Sequence, residues 1–145
     1  MTYMWYYDLI AYGAGADQQL PLPTNETFGP KNNVVSAREF VSWYNGHPHY
    51  PSFLKDNDID LHGIRDVVIV GNGNVAIDIA RILTKDVDSL EAFDMTADVL
   101  SILRKSSVRN VHIVGRRGHC QASFTIKEFR ELTKLRKMYC HIIYF

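Results

Sequence analysis

The strongest constraint on the fold is an apolar run that leads through a glycine turn into a helical pattern. Val67–Val70 are apolar, the turn reads GNGNVA over Gly71–Ala76, and apolar residues then recur at helical spacing as far as Leu83. An apolar run of this length predicts a parallel strand with both faces covered. The pattern therefore predicts a strand, a turn and a helix in direct succession.

The turn has residue types that suit a dinucleotide. Gly71 permits a tight turn, Gly73 lets the backbone approach a pyrophosphate, and Ala76 allows the helix to pack closely. The unpaired N–H groups and the dipole of a helix favour an anion at its start. An ordinary strand-to-helix turn that contains two glycines remains the alternative.

A second apolar run, Val108–Val114, ends in Gly115, Arg116 and Arg117, and predicts a neighbouring parallel strand. An NAD site has an acidic residue at the end of this strand, whereas arginine accommodates the 2′-phosphate of NADP. The arginines therefore favour NADP(H) and oppose an NAD-linked dehydrogenase, although arginines that are merely solvated remain an alternative. We expect an α/β fold with a Rossmann-like, doubly wound parallel sheet in three layers, forming an incomplete NADP-binding domain.

Local signals predict further elements before the glycine turn. Tyr6–Tyr12 is expected to form a buried strand. Ser36 and Glu39 have the spacing of a capping box and predict a helix that runs to about Asn45. Residues 47–65 contain two prolines and little periodicity, so we expect a loop there.

Two more helices are expected on either side of the second strand. In an inserted segment, residues 85–107, Thr96 is expected to cap a helix whose apolar face comprises Val99, Leu100 and Leu103. Thr125 and Glu128 have capping-box spacing and predict an amphipathic helix that packs on the sheet. On these grounds alone, Glu128 is a helix cap.

Composition narrows the classes of function. The 145 residues fit one domain, and 46% of them are hydrophobic, so the chain can bury a core. Sixteen basic and sixteen acidic residues cancel, which predicts no nucleic-acid partner. The two cysteines are too few for a disulfide framework, and no metal site is expected from them or from the loop histidines. We expect no signal peptide, targeting segment or transmembrane helix in this chain.

Three stretches resemble the adrenodoxin reductases and related ferredoxin-NADP reductases of the glutathione-reductase-like flavoproteins. They are SAREFVSWYNG at residues 36–46, GNGNVAIDIARIL at residues 71–83, and VGRRG with the following FTIKEFRE within residues 114–131. Complete enzymes of that family pass a hydride from NADPH to FAD, and the flavin then gives single electrons to a 2Fe-2S ferredoxin in mitochondria. The resemblance implies NADP(H) contacts at the glycine turn and at the arginines, namely at Gly71, Asn72, Gly73, Asn74, Val75, Arg116 and Arg117, and a further contact at Glu128.

The resemblance also implies a domain division and a partner. Residues 1–35 correspond to a strand and connection from the flavin-domain side, and residues 36–145 to part of the NADP(H)-binding domain. Arg130, followed by Lys134, Arg136 and Lys137, lies where relatives place basic residues for docking an adrenodoxin-like ferredoxin, although a solvated helix face is as plausible. The family implies the mitochondrial matrix as the location.

The chain departs from the family because it contains no FAD fingerprint. We therefore expect that it is inactive as a reductase by itself, whether it is a domain cut from a longer enzyme or a truncated gene model. No side chain is predicted to act as acid, base or nucleophile, since the cofactors carry the chemistry. A non-catalytic NADP(H)-binding sensor or assembly module is the alternative function.

Overall fold

A computed structural model describes residues 34–71, 73–115, 125–127, 130 and 139–144. Within these residues, helices and strands follow each other in an α/β order. The elements are α1 (Ala37–Tyr44), α2 (Phe53–Asp56), β1 (Asp66–Val70), α3 (Asn74–Thr84), α4 (Val87–Leu90), α5 (Ala97–Arg104), β2 (Asn110–Gly115) and β3 (Tyr139–Tyr144).

The strands form a parallel sheet in the order β1-β2-β3. Val68 pairs with His112 between β1 and β2, and Ile113 pairs with Ile142 between β2 and β3. At the start of the first pair, the Asn110 Nδ2 donates to Asp66 Oδ1 at 2.5 Å, between residues that are 44 positions apart in the sequence. The predicted α/β class with a parallel sheet is confirmed.

Side-chain caps begin two of the helices as the sequence predicted. Ser36 Oγ accepts the N–H of Glu39 at 3.4 Å before α1, and Thr96 Oγ1 accepts the N–H of Val99 at 3.5 Å before α5. Each cap satisfies one of the backbone donors that the first turn of a helix leaves unpaired. The apolar face predicted for α5 is also confirmed, because Val99, Leu100 and Leu103 are buried.

A core of buried side chains joins the helices to one face of the sheet. Val111 and Ile113 of β2 are fully buried, and Ile77 and Ala80 of α3 belong to the same cluster. The aromatic residues of α1, namely Phe40, Trp43 and Tyr44, pack into this cluster together with Phe53 of α2. Burial, and next the negative charge of Asp78, raise the pKa of Tyr44 to about 12.

The opposite face of β1 corrects one expectation from the sequence. Val67 and Ile69 lie on the face that packs against the core, but Val68 and Val70 are 62% and 59% exposed. Within the described residues, the second face of this strand is largely open, so the expectation that both faces are covered is not met there. Alternate residues of a strand point to opposite faces, so one apolar run supplies both a buried and an open face.

Other expectations differ from the structure in detail. The region expected to be a loop, residues 47–65, contains α2, and the inserted segment contains α4, which is held to α5 by ion pairs from Arg104 to Asp88 and Glu91. The second strand starts at Asn110 rather than Val108, because the N–H groups of Arg109 and Asn110 first donate to the carbonyl of Arg65. Strand β3 was not predicted.

Two expected elements lie wholly or partly outside the described residues. The strand expected at Tyr6–Tyr12 is outside them, and of the helix expected after Thr125 the described residues Ile126, Lys127 and Arg130 are helical. In the part of the chain that is described, no helix combines the length and the hydropathy needed to span a bilayer.

Candidate functional site

The turn after β1 requires a glycine at its first position. Gly71 has a φ of +121°, a region that residues with a Cβ rarely adopt. Its N–H donates to the carbonyl of Val114 at 2.7 Å. The end of β1 is therefore fixed beside the end of β2, and Arg116 and Arg117 follow Gly115 in the sequence. We call this edge, where β1 and β2 end, the carboxyl edge.

The second glycine of the turn is needed neither for its backbone conformation nor for packing against the described residues. Gly73 has a φ of −103° and a ψ of −179°, which is extended backbone that any residue can adopt. A Cβ placed on it would meet no atom of the described residues within 4 Å. Glycine at this position therefore leaves space open in front of α3.

The start of α3 differs from the starts of α1 and α5. Those two helices have a side-chain cap and an acidic residue in the first turn, Glu39 in α1 and Asp98 in α5. Among the described residues, α3 begins at Gly73 with no side-chain cap and has no acidic residue in its first turn. Its first N–H groups and the positive end of its dipole thus face the open space, which suits an anion.

A cavity of about 370 Å³ lies in front of this helix. It is lined by the end of β1, the glycine turn, the first turn of α3 and Ala37 of α1. Val75, which lines it, is half-exposed. The volume is within the range that bound small molecules occupy, on the order of 300–1,000 Å³.

A second cavity of about the same volume lies near the start of β2, between Thr84–Val87 and Val108–Arg109. Volume therefore does not distinguish the two cavities. The glycine turn and the uncapped helix start belong only to the first, and ligands of parallel α/β sheets bind at the carboxyl ends of strands. We assign the candidate site to the first cavity on these grounds.

A hydrogen bond connects the glycine turn to a distant part of the chain. Asn74 is the first residue of α3, and its Oδ1 accepts the N–H of Thr125 at 3.1 Å. Thr125 immediately precedes the helical residues Ile126 and Lys127. Thr125 is therefore held at the first turn of α3.

The structure brings part of the predicted site together. Gly71, Gly73, Asn74 and Val75 all lie at the carboxyl edge. Four other predicted contacts, Asn72, Arg116, Arg117 and Glu128, lie outside the described residues. The sequence reasoning did not include Ala37 in the cavity wall or the bond from Asn74 to Thr125. Capping-box spacing marked Thr125 as a helix start, but no local pattern indicates a partner so far away in sequence.

Comparison with known proteins identifies relatives of this chain. No protein-family model matches it. It is 50% identical over 127 residues to the mitochondrial NADPH:adrenodoxin oxidoreductase of Drosophila melanogaster, a match that covers 88% of this chain and 25% of that protein. It is 41% identical over 139 residues to the enzyme of the same name from Arabidopsis thaliana, covering 96% of this chain and 27% of the relative.

A solved structure matches the backbone as well. Mycobacterium tuberculosis FprA in complex with NADPH superposes with a TM-score of 0.70 at 45% identity, covering 86% of this chain and 26% of that one. FprA is an NADPH-ferredoxin reductase, and this chain spans about a quarter of the length of each relative that it matches. By sequence and by backbone, the chain is homologous to about a quarter of the length of NADPH:adrenodoxin oxidoreductases and of the NADPH-ferredoxin reductase FprA.

Proposed function

We propose that this chain is the NADP(H)-binding portion of a flavin-dependent ferredoxin reductase of the adrenodoxin type. The observation that carries the proposal is the uncapped start of α3, which faces the open space left by Gly73. A pyrophosphate supplies negative oxygen acceptors for the N–H groups that this helix start leaves unused. The names of the relatives, NADPH:adrenodoxin oxidoreductase and NADPH-ferredoxin reductase, support the choice of NADPH.

In the proposed complex, the glycine turn holds the pyrophosphate and the paired arginines hold the 2′-phosphate. Gly71, Asn72, Gly73, Asn74 and Val75 provide the turn, mainly through their backbone. Arg116 and Arg117 follow β2 in the sequence, and guanidinium groups bind phosphate through paired hydrogen bonds. We propose Glu128 as a further contact to the nucleotide, by resemblance to the family.

The proposed fold is a Rossmann-like, doubly wound sheet in three layers that is incomplete in this chain. Residues 36–145 would form the NADP(H)-binding part, and residues 1–35 would connect to the flavin domain. The exposed Val68 and Val70 are compatible with this reading, because a doubly wound sheet has a second layer of helices or strands over that face. In the full-length protein the nicotinamide would give a hydride to FAD, and the chain itself would orient the nucleotide.

The full-length protein would pass electrons from FAD to a 2Fe-2S ferredoxin similar to adrenodoxin. By resemblance to the family, the proposed docking surface comprises Arg130, which is exposed and helical, with Lys134, Arg136 and Lys137. Several relatives are named mitochondrial, which supports a mitochondrial location, and we extend this to the matrix. The alternative of a non-catalytic sensor has no support from relatives that are named as oxidoreductases.

Calorimetric titration of the 145-residue chain with NADPH and with NADH at low salt tests the proposal. We expect NADPH to bind more tightly than NADH. Replacing Arg116 and Arg117 by alanine removes charge-assisted hydrogen bonds that are each worth about 1.5–3 kcal/mol, so the affinity for NADPH should fall by at least about tenfold. The affinity for NADH should change little, since it has no 2′-phosphate.

Circular dichroism of each protein serves as the folding control for this titration. A folded wild-type chain that binds neither nucleotide would contradict the proposal. Equal losses for NADPH and NADH in the double variant would contradict the assignment of the arginines to the 2′-phosphate.

A further inference from the structure

Ala37 is the residue through which α1 contributes to the wall of the candidate site. It is the first residue of α1 and directly follows the cap at Ser36. It lines the cavity together with the glycine turn and the first turn of α3. Its side chain is exposed, so the described residues leave the space between it and the start of α3 unfilled.

The position of Ala37 on its helix is one where a larger apolar residue would pack. Ala37 lies on the same face of α1 as Phe40 and Tyr44, because residues three or four positions apart in a helix are neighbours on its surface. Both of these aromatic residues are buried in the core. A side chain of the size of leucine at position 37 would extend this apolar face by one turn and fill part of the cavity. The methyl group of alanine forgoes that burial and leaves the cavity open, as a binding site requires.

The chemistry of the cavity wall differs between its parts. The N–H groups at the start of α3 are donors that suit a phosphate. Ala37, Val70 and Val75 supply apolar surface, and both valines are more than half or about half exposed. No described side chain that lines the cavity carries a charge. An uncharged ring gains from contact with such a surface, whereas a phosphate there would lose water without gaining a donor.

We propose that Ala37 is the size-determining residue of the nucleotide site: its small side chain leaves room for a ring of the nucleotide next to the pyrophosphate. This inference rests on the proposed function, because it takes NADP(H) to be the ligand of the cavity. The ring belongs to the part that NADPH and NADH share, since the described lining offers no cation for the additional 2′-phosphate.

Ala37→Leu and Ala97→Leu make the same change at equivalent helix positions. Ala97 is the first residue of α5, follows the cap at Thr96, is exposed, and is not among the residues that line the two cavities. In calorimetric titrations, Ala37→Leu should lower the affinities for NADPH and for NADH by at least about tenfold each, because the larger side chain overlaps the ring. Ala97→Leu should bind both nucleotides within about twofold of the wild-type chain.

Thermal unfolding without nucleotide separates a role in the binding wall from general damage to the fold. Ala37→Leu should melt at the wild-type temperature or up to about 4 °C above it, because leucine fills space that the described residues leave open. Higher stability together with weaker binding is the result expected of a position that is kept small for a ligand. Ala37→Ser keeps the side chain small and should retain the affinity for NADPH within about twofold.

The outcomes distinguish this inference from the proposed function. A folded wild-type chain that binds neither nucleotide overturns the proposed function. A wild-type chain that binds NADPH, with Ala37→Leu binding it equally tightly, overturns the role of Ala37 alone. The same conclusion follows if Ala37→Ser loses as much affinity as Ala37→Leu, if Ala37→Leu melts well below the wild-type chain, or if its loss of affinity is confined to NADPH.

Discussion

The helix-covered face of the sheet and the carboxyl edge use their residues in opposite ways. On the covered face, Ile69, Val111 and Ile113 are buried against the helices, and the described side chains leave little of this face in contact with water. At the carboxyl edge, the described residues give α3 no side-chain cap and leave the space within 4 Å of a Cβ at Gly73 open. The difference shows that the buried packing of the described residues is concentrated in one region, whereas the other has an uncapped helix start beside open space.

The largest difference in the free energy of unfolding is expected between alanine substitutions of two valines on opposite faces of the sheet. Val111→Ala removes two methyl groups from a fully buried position and should lower the free energy of unfolding by about 2 kcal/mol. Val68→Ala makes the same chemical change at a position that is 62% exposed and should cost less than about 0.5 kcal/mol. Urea unfolding followed by circular dichroism measures both.

Because the two variants share any intrinsic preference of valine for strands, their difference reports burial. Equal costs for the two variants would show that the face of Val68 is covered in solution, and the contrast between the faces would then not hold.

The two glycines of the turn are expected to separate folding from binding. Gly71→Ala forces a side chain onto a φ of +121° and should destabilise the chain by about 1–3 kcal/mol. Gly73→Ala should change stability by less than about 0.5 kcal/mol, since its backbone is extended and its surroundings are open. Its methyl group would occupy the proposed phosphate position, so the affinity for NADPH should fall while the chain stays folded.

Thermal unfolding together with NADPH titration measures both properties of the glycine variants. If Gly73→Ala binds NADPH as tightly as the wild-type chain, the space in front of α3 is not the phosphate site.

At neutral pH, the smallest effect on the pH dependence of the free energy of unfolding is expected from Tyr44→Phe, on the helix-covered face. The raised pKa means that the folded chain holds the phenol proton more tightly than the unfolded chain does. The contribution of this raised pKa to the free energy of unfolding is therefore fully present below pH 10 and is lost as the pH rises through about 12. We expect the free energy of unfolding to fall less steeply over this interval in Tyr44→Phe than in the wild-type chain.

The comparison with Tyr44→Phe is needed because the chain has eight tyrosines, and the others also titrate in this interval. Identical pH profiles for the two proteins would show that the pKa of Tyr44 is the same in the folded and the unfolded chain.

Features that depend on neighbouring residues in the chain were predictable from the sequence. The caps at Ser36 and Thr96, the strand before Gly71 and the helix after it follow from spacing and apolar period, and all are in the structure. Helices of four residues, such as α2 and α4, are too short to show a period. Strand β3 follows a helix pattern without a turn motif, so nothing in its surroundings marked it.

Features that depend on contacts between distant residues were not predictable. An apolar run does not show whether other residues cover both faces of the strand, so the exposure of Val68 and Val70 was not predicted. The bond between Asn74 and Thr125 joins residues 51 positions apart, and neither residue has a local pattern that indicates the other. The candidate site was predicted from the glycine turn, whereas the hydrogen bond from Asn74 in this turn to Thr125 was found only in the structure.

The parallel pairing of β1 and β2 has a consequence for synthesis of the chain. Val67–Val70 leaves the ribosome before α3, α4 and α5, and its partner strand is complete only at Gly115. Helices can form from local hydrogen bonds during that interval, but a parallel strand must wait for its distant partner. An apolar strand with unpaired N–H and carbonyl groups is then free to pair with other chains. The time that translation takes from residue 70 to residue 115 therefore sets the shortest interval during which β1 lacks its pairing with β2.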